Sequence, residues 1–295
     1  MPDGTFTSVA AAGHDAALQR SLAAFNQERF DPALPTTDWA AGIDRLAQRL
    51  HQEAEFLEER RAAVSARAAE APTDADGFVR WFEQLEQDGP GQHDPLFPWL
   101  AEHATMEQMR WFLTQEVAGE AGFEDLSALT QVKLPVRPKL EIARNYWDEM
   151  GRGNPKGMHG PLLETLAQRL GLEPRVDTTV WEALALANVM AGLAANRRYA
   201  YHSVGALGVI EQTAPARAAL VGKGLKRLGV PAGDRHYFDL HAILDVKHSA
   251  SWNSEAIHPL VASNPAFASA IAEGALMRLE CGAACFRRYR RELGV

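Results

Sequence analysis

Helical periodicity runs along almost the whole chain and constrains the fold more than any other feature of the sequence. Apolar residues recur at helical spacing over residues 38–71, and again in successive segments over residues 95–291. The sequence lacks the series of short alternating segments, rich in Val, Ile and Thr, that a β-sandwich or barrel requires. We therefore predict an all-α fold with about seven core helices and additional N-terminal helices.

A break at residues 88–92 divides the chain into two parts. Its sequence, Asp-Gly-Pro-Gly-Gln, interrupts the helical pattern because glycine and proline are strong turn signals. We predict an N-terminal helical extension at residues 1–92, packed on a core at residues 93–295 as one structural unit. Hydrophobic residues make up 46% of the 295 residues, which is enough to bury such a core.

Turn and capping signals predict where the core helices begin and end. Thr105 is suited to cap the helix that carries Met109, Phe112 and Glu116. We predict one long helix over residues 180–208, a break at Pro215, and a separate helix over residues 217–228.

Charge and hydropathy patterns argue against two classes of partner. The formal net charge is −8, and basic residues are scattered except at residues 223–227 and 287–291, so we expect no nucleic-acid partner. The most apolar run, residues 183–195, contains Asn188 and is too short to span a bilayer. The N-terminus has no signal-peptide pattern, and we expect a cytoplasmic protein that does not bind membranes.

Three potential metal ligands share one face of a predicted helix at residues 237–252. His241, Asp245 and His248 are spaced i, i+4 and i+7, which places their side chains on one stripe. Two imidazoles and a carboxylate suit Fe, Mn or Zn better than Mg or Ca, because nitrogen donors select transition metals. On spacing alone, a solvated polar face with two ordinary histidines explains the same pattern.

Other helices contain residues that can complete such a site. Glu211 is a single carboxylate in an apolar, small-residue segment, where it is either a ligand or an exposed acid at a helix end. Glu149 and His159 are ten residues apart and would point about 80° apart on an unbroken helix. The glycines of residues 151–157 and Pro155 predict a local break, which can turn both side chains towards one centre.

Two further glutamates lie one helical turn apart. Glu116 and Glu120 fall on one face of the predicted helix, among small residues that allow a neighbouring helix to approach. We prefer Glu116 as a ligand because Phe112 lies one turn earlier on its stripe. Glu120 stays the alternative.

The order of these motifs resembles the haem-oxygenase-like di-iron oxidases and oxygenases, often described as iron-containing redox enzymes. The resemblance covers residues 94–291, and it includes the segments at residues 145–153 and 205–211. It implies a haem-oxygenase-like seven-helix bundle that forms a homodimer. It also implies seven ligands to two iron ions: Glu116, Glu149, His159, Glu211, His241, Asp245 and His248.

The same resemblance implies an O2-dependent oxidoreductase that acts on a small amino-acid or amine-like metabolite. Two Fe(II) ions would reduce the cosubstrate O2 to a peroxo-diferric species, leading to N-oxygenation, hydroxylation, or oxidative desaturation or C–C cleavage. Manganese can replace iron at one site, and an external electron donor is compatible with this chemistry. Candidate clamps for a substrate carboxylate are Arg144, Arg197, Arg198 and Arg217.

Two other classes of protein fit the residues without the resemblance. An iron-binding storage or sensor protein would bind the metal without oxidising a substrate. A helical interaction protein would bind no metal.

Overall fold

The structure is a computed structural model that describes residues 9–120 and 122–295. These residues form α-helices and no β-strand, which confirms the predicted all-α class. The helices are α1 (Val9–Phe30), α2 (Trp39–Ala68), α3 (Ala75–Asp88), α4 (Leu96–Glu102), α5 (Met106–Gly119), α6 (Phe123–Thr130), α7 (Val136–Glu149), α8 (His159–Leu170), α9 (Trp181–Ala195), α10 (Ala200–Arg227), α11 (His236–Ser251), α12 (His258–Ser263) and α13 (Phe267–Leu293). Among the described helices, none has the length and apolar composition that crossing a membrane requires.

The first three helices pack on the remainder of the chain. Helix α1 contacts α9, α2 contacts α13, and α3 contacts α10 and α12. Leu22, Phe56 and Phe78 belong to the same hydrophobic cluster as Val204 and Leu276 from the later helices. Burial of these side chains joins the N-terminal helices to the core. The domain boundary at residue 92 stays a prediction.

Helix α10 passes through the middle of the bundle and packs against α4, α11 and α13. The prediction of one helix over residues 180–208 is wrong: α9 ends at Ala195, and the Asn196 side chain accepts a hydrogen bond from the Arg198 amide at 3.1 Å. The predicted break at Pro215 is also wrong, since α10 continues through this residue to Arg227. Packing on three helices offsets the lost backbone hydrogen bond at the proline. Glu211 therefore lies inside a continuous helix.

Helix α5 begins at the predicted cap. Thr105 Oγ1 accepts a hydrogen bond from the Gln108 amide at 3.2 Å, and Gln108 Oε1 accepts one from the Thr105 amide at 2.9 Å. This capping box satisfies two amides that the first turn leaves without helical partners. Glu120 directly follows the last residue of α5.

The segment between α7 and α8 is a compact loop, as its glycines and proline predict. It contains two short 3-10 turns, Gly151–Gly153 and Pro155–Gly157, and an antiparallel bridge joins Met150 to Met158. Gly151 has a φ of 60°, and a Cβ there would lie 2.6 Å from the Gly157 carbonyl carbon. A glycine is therefore required where the loop closes. The bridge places the end of α7 beside the start of α8.

Candidate metal centre

Helix α11 turns its polar stripe into the protein. Its buried residues are His241, Asp245 and His248, whereas Ile243 and Val246 on the outer side are 70% and 57% exposed. This is the reverse of an ordinary surface helix, whose buried face is apolar. The interpretation of the stripe as a solvated polar face is therefore wrong.

One group of donors forms where α7, α8 and α11 meet. His159 Nδ1 lies 2.9 Å from Glu149 Oε2 and 3.0 Å from His241 Nε2. His241 Nε2 is 3.5 Å from the same Glu149 oxygen. Two imidazole nitrogens and one carboxylate oxygen thus converge on a point that a metal ion can occupy.

A second group forms beside the first and shares Glu149 with it. His248 Nδ1 is 3.4 Å from Glu211 Oε2 and 3.7 Å from Glu149 Oε1. The two groups use different oxygens of Glu149, so this carboxylate lies between them. Asp245 lies buried between His241 and His248 on α11 and lines the same cavity as Glu149 and Glu211.

Neighbouring groups orient the donors. The Nδ1 of His241 donates to the Tyr237 carbonyl at 2.7 Å, which leaves Nε2 facing Glu149. The Nε2 of His248 lies 3.2 Å from Asp148 Oδ2, which leaves Nδ1 facing Glu211. Partners of this kind fix the tautomer and raise the basicity of metal-binding histidines.

Asn145 supports the centre from α7. Its amide nitrogen donates to Glu211 Oε1 at 2.5 Å, and its side chain is buried. Neither Asn145 nor Asp148 was predicted from the sequence to take part in the site. The position of Asn145 could have identified it, because it lies one helical turn before Glu149 on the same face of α7.

The buried carboxylates of the cluster carry the electrostatic signature of a cation site. Burial and repulsion from Glu211 raise the pKa of Asp245 to about 8. Burial also raises the pKa of Glu211, and the charge of Glu149 adds to the effect. Among the described residues, Asp245 Oδ1 and His248 Nδ1 are buried without a hydrogen-bond partner. Unpaired acids and unused imidazole donors of this kind fit iron, which accepts both oxygen and nitrogen ligands.

Protons occupy the cluster in the metal-free chain. Burial alone would lower the pKa of His159 and of His248, but the adjacent carboxylates of Glu149 and Glu211 raise each to about 9. Burial alone would raise the pKa of Glu149, but the two bonded imidazoles outweigh it and lower that pKa. Cationic imidazoles thus neutralise the buried acids, and a metal ion must displace these protons when it binds.

The structure separates Glu116, within α5, from Glu120, which follows the end of this helix. Glu120 Oε1 is 3.9 Å from His159 Nε2, at the edge of the cluster. The charged groups beside Glu116 are Arg278, Arg217 and Glu120, none of them a cluster imidazole. Neither glutamate belongs to the two donor groups, and Glu120 is the one whose carboxylate approaches a cluster histidine, on the Nε2 side of its ring. The choice between Glu116 and Glu120 as a ligand stays a prediction.

Glu124 at the start of α6 is a further carboxylate that the sequence analysis missed. Its Oε1 accepts a hydrogen bond from the Gly160 amide at 3.2 Å. Its Oε2 is buried and has no hydrogen-bond partner among the described residues. Burial raises the pKa of Glu124, while the charge of His159 opposes the shift. The spacing Glu116, Glu120, Glu124 was the signal available in the sequence.

An internal cavity of about 170 Å³ opens from the cluster into the bundle. Its walls combine the cluster residues with apolar side chains that include Phe112, Leu186, Met190 and Ile210. A cavity of similar volume in another protein holds benzene. This cavity therefore has room for a small organic molecule next to the cluster.

Comparison with known proteins agrees with these observations. No curated protein matches the chain. A crystal structure of a CADD-like protein of unknown function from Nostoc punctiforme PCC 73102 superposes with a TM-score of 0.56 at 17% identity, covering 74% of this chain and 98% of that one. This likeness concerns the fold. The model of the iron-containing redox enzyme family, which has a haem-oxygenase-like fold, matches residues 110–283, more than half of the chain. The chain belongs to the iron-containing redox enzyme family.

Proposed function

We propose that the protein is an O2-dependent oxidase or oxygenase that holds two iron ions and oxidises a small amino-acid or amine-like metabolite. The observation that carries the proposal is the pair of buried donor groups that share Glu149. Two metals joined by one carboxylate are a recurring arrangement in enzymes with two-metal sites.

The proposed ligands divide between the two groups. His159 and His241 would hold one ion and Glu211 and His248 the other, with Glu149 between them. We add two further carboxylate ligands. Asp245 is included because its Oδ1 is buried without a hydrogen-bond partner among the described residues, and Glu120 is included because it borders His159. Bound iron would supply electrons for the reduction of O2, and manganese can occupy one of the positions with the same donors.

The chain itself prepares the centre for this chemistry. The Tyr237 hydroxyl lies 3.2 Å from His159 Nε2, where it can exchange a proton with the imidazole. The adjoining cavity favours a catalyst over an iron store, because a store has no need of an organic binding site beside its metal.

Anaerobic titration with Fe(II), followed by iron analysis and rapid mixing with O2, tests the proposal. We expect about two irons per chain and a transient visible absorption band after mixing. The Glu211→Gln variant should lose at least one iron. Glu141→Gln is the matched control, since Glu141 is buried on α7 but pairs with Arg144 outside the cavity.

Three results would contradict the proposal. Iron uptake far beyond two ions per chain would indicate storage, and absence of stoichiometric iron would indicate a protein without a metal function. Equal iron content in Glu211→Gln and the parent would place the metal elsewhere.

A further inference from the structure

One end of the cavity contains two arginines that the proposed metal chemistry does not use. Arg217 of α10 and Arg278 of α13 line this end together with Glu116 and Tyr289. Arg217 follows Glu211 by six residues, so the two side chains leave α10 about 120° apart around its axis. The arginines therefore face a different part of the cavity from the metal cluster.

Neutral and aromatic groups hold Arg217 in place. Its guanidinium donates to Thr213 Oγ1 at 3.1 Å and to Gln92 Oε1 at 3.4 Å. It also lies over the rings of Phe97 and Phe286, 5.8 and 5.5 Å from their centroids. These contacts fix the guanidinium and leave several of its five N–H donors free for a ligand.

Arg278 lies beside a glycine that leaves room for it. A Cβ at Gly282 would be 2.8 Å from the nearer guanidinium nitrogen of Arg278. Within the described part of the chain, no carboxylate oxygen lies within 4.0 Å of a guanidinium nitrogen of Arg217 or Arg278. Both cations therefore lack a direct anionic partner.

The charges at this end do not balance. Burial and the positive charge of Arg278 lower the pKa of Arg217 to about 9, which leaves Arg217 cationic at neutral pH. Glu116 is the nearby acid, and burial raises its pKa. Both arginines are half-buried and at least one positive charge is unmatched, which favours the binding of an anion there.

Arg217 also differs in location from the other three arginines that were predicted from the sequence to bind a substrate carboxylate. Arg144 and Arg198 are exposed and pair with Glu141 and Glu58, respectively. Arg197 donates to backbone carbonyls at the end of α6. Among these four arginines, Arg217 lines the cavity.

We infer that Arg217 and Arg278 bind the carboxylate of an organic acid substrate whose chain extends along the apolar wall towards the metal cluster. Guanidinium groups bind carboxylates through paired hydrogen bonds, which fixes orientation as well as charge. The inference rests on the proposed function in taking this cavity as the substrate site.

The wall formed by α5 gives the length of such a substrate. Glu116 borders the arginine end and Glu120 the cluster end, and four residues span about 6 Å along a helix. The oxidised atom therefore lies several bonds from the carboxylate. In an amino acid, the ammonium group next to the carboxylate would face Glu116. The arginines would bind the carboxylate in the same way in amino acids and in simple carboxylic acids.

Calorimetric titration of the metal-free protein tests the inference without iron or O2. The probes are butanoate, hexanoate, octanoate and 2-aminohexanoate, with hexanamide as the uncharged analogue of hexanoate. We expect at least one carboxylate to bind about tenfold or more tightly than hexanamide, and Arg217→Gln to remove this preference. Arg227→Gln should keep it, because Arg227 lies on the same helix but donates to the backbone carbonyls of Ala101 and Ala104 and does not line the cavity.

Two further variants complete the design. Arg278→Gln provides the same test if Arg217→Gln does not fold. If the natural substrate is a simple acid, Glu116→Gln should tighten the binding of hexanoate. If the natural substrate is an amino acid, the same variant should weaken the binding of 2-aminohexanoate. Either outcome supports the carboxylate site and shows which of these two classes of substrate it accepts.

The inference is overturned if no carboxylate in the panel binds, if hexanamide binds as tightly, or if both arginine variants bind like the parent. Carboxylate binding by a protein that takes up no iron would contradict the proposed function and leave this inference standing. Normal iron loading without carboxylate binding would overturn this inference and leave the proposed function standing.

Discussion

The two ends of the cavity have opposite electrostatic character. At the cluster end, Glu149, Glu211 and Asp245 place three buried carboxylates together, and protonated imidazoles compensate them in the metal-free chain. At the other end, Arg217 and Arg278 face a single acid. One end requires cations and the other an anion. A single cavity can therefore position a metal centre and an acidic substrate through complementary charge.

The largest expected effect is a difference in iron affinity between variants of two glutamates four residues apart. Glu120→Gln should weaken the binding of one iron by about 100-fold, because Glu120 borders the cluster. Glu116→Gln should leave iron affinity unchanged, because Glu116 lies at the arginine end. Anaerobic Fe(II) titration measures both. A loss of iron in Glu116→Gln alone would restore the original preference for Glu116.

A smaller effect is expected from the hydrogen bond that orients Glu211. Asn145→Ala removes the donor to Glu211 Oε1 and should lower iron affinity by about tenfold. Asn188→Ala is the matched control, because this buried asparagine of α9 bonds to α1 and should change thermal stability without changing iron affinity. Equal iron affinity in both variants would show that Asn145 has only a packing role.

The smallest effect is the response of stability to pH. The raised pKa values of His159 and His248, about 9, stabilise the metal-free fold below about pH 6.5, and this contribution is lost as the pH rises to about 9. Asp245 acts in the same direction, since its pKa is raised from 3.8 to about 8. The lowered pKa of Glu149 acts only below about pH 4.5.

We therefore expect the Tm of the metal-free protein to fall by on the order of 5 °C between pH 6.5 and pH 9. Added Mn(II), which does not react with O2 as Fe(II) does, should stabilise the protein more as the pH rises, because metal binding requires deprotonated ligands. Thermal unfolding followed by circular dichroism measures both trends. A metal-free Tm that rises over this range would show that the imidazoles are neutral in the fold.

Local signals in the sequence predicted the features that depend on one segment. Helical periodicity gave the all-α class, Thr105 gave the start of α5, and the glycines before His159 gave the break between α7 and α8. The i, i+4, i+7 spacing placed three residues of α11 on one face, and the structure buries that face. Each of these signals acts within a few residues.

Features that depend on packing between helices could not be predicted in this way. The sequence pattern puts Glu116 and Glu120 on one helix face, but α5 ends at Gly119, and contacts with α8 and α13 distinguish the two glutamates. Pro215 is a strong helix-breaking signal locally, but packing of α10 overrides it. Arg217 has an ordinary sequence context, and its location in the cavity follows from the crossing of α10 and α13.

The inverted polarity of α11 has a consequence for how the protein responds to iron supply. Its fully buried positions are polar, and Ile243 and Val246 face outward, so removal of apolar surface from water contributes little at its inner stripe. Attachment of this inner stripe therefore depends on coordination bonds when metal is bound and on imidazole–carboxylate pairs when it is absent. Under the proposed function, metal binding would shift the local unfolding equilibrium of α11, and the conformational ensemble of the protein would become a readout of its metal content.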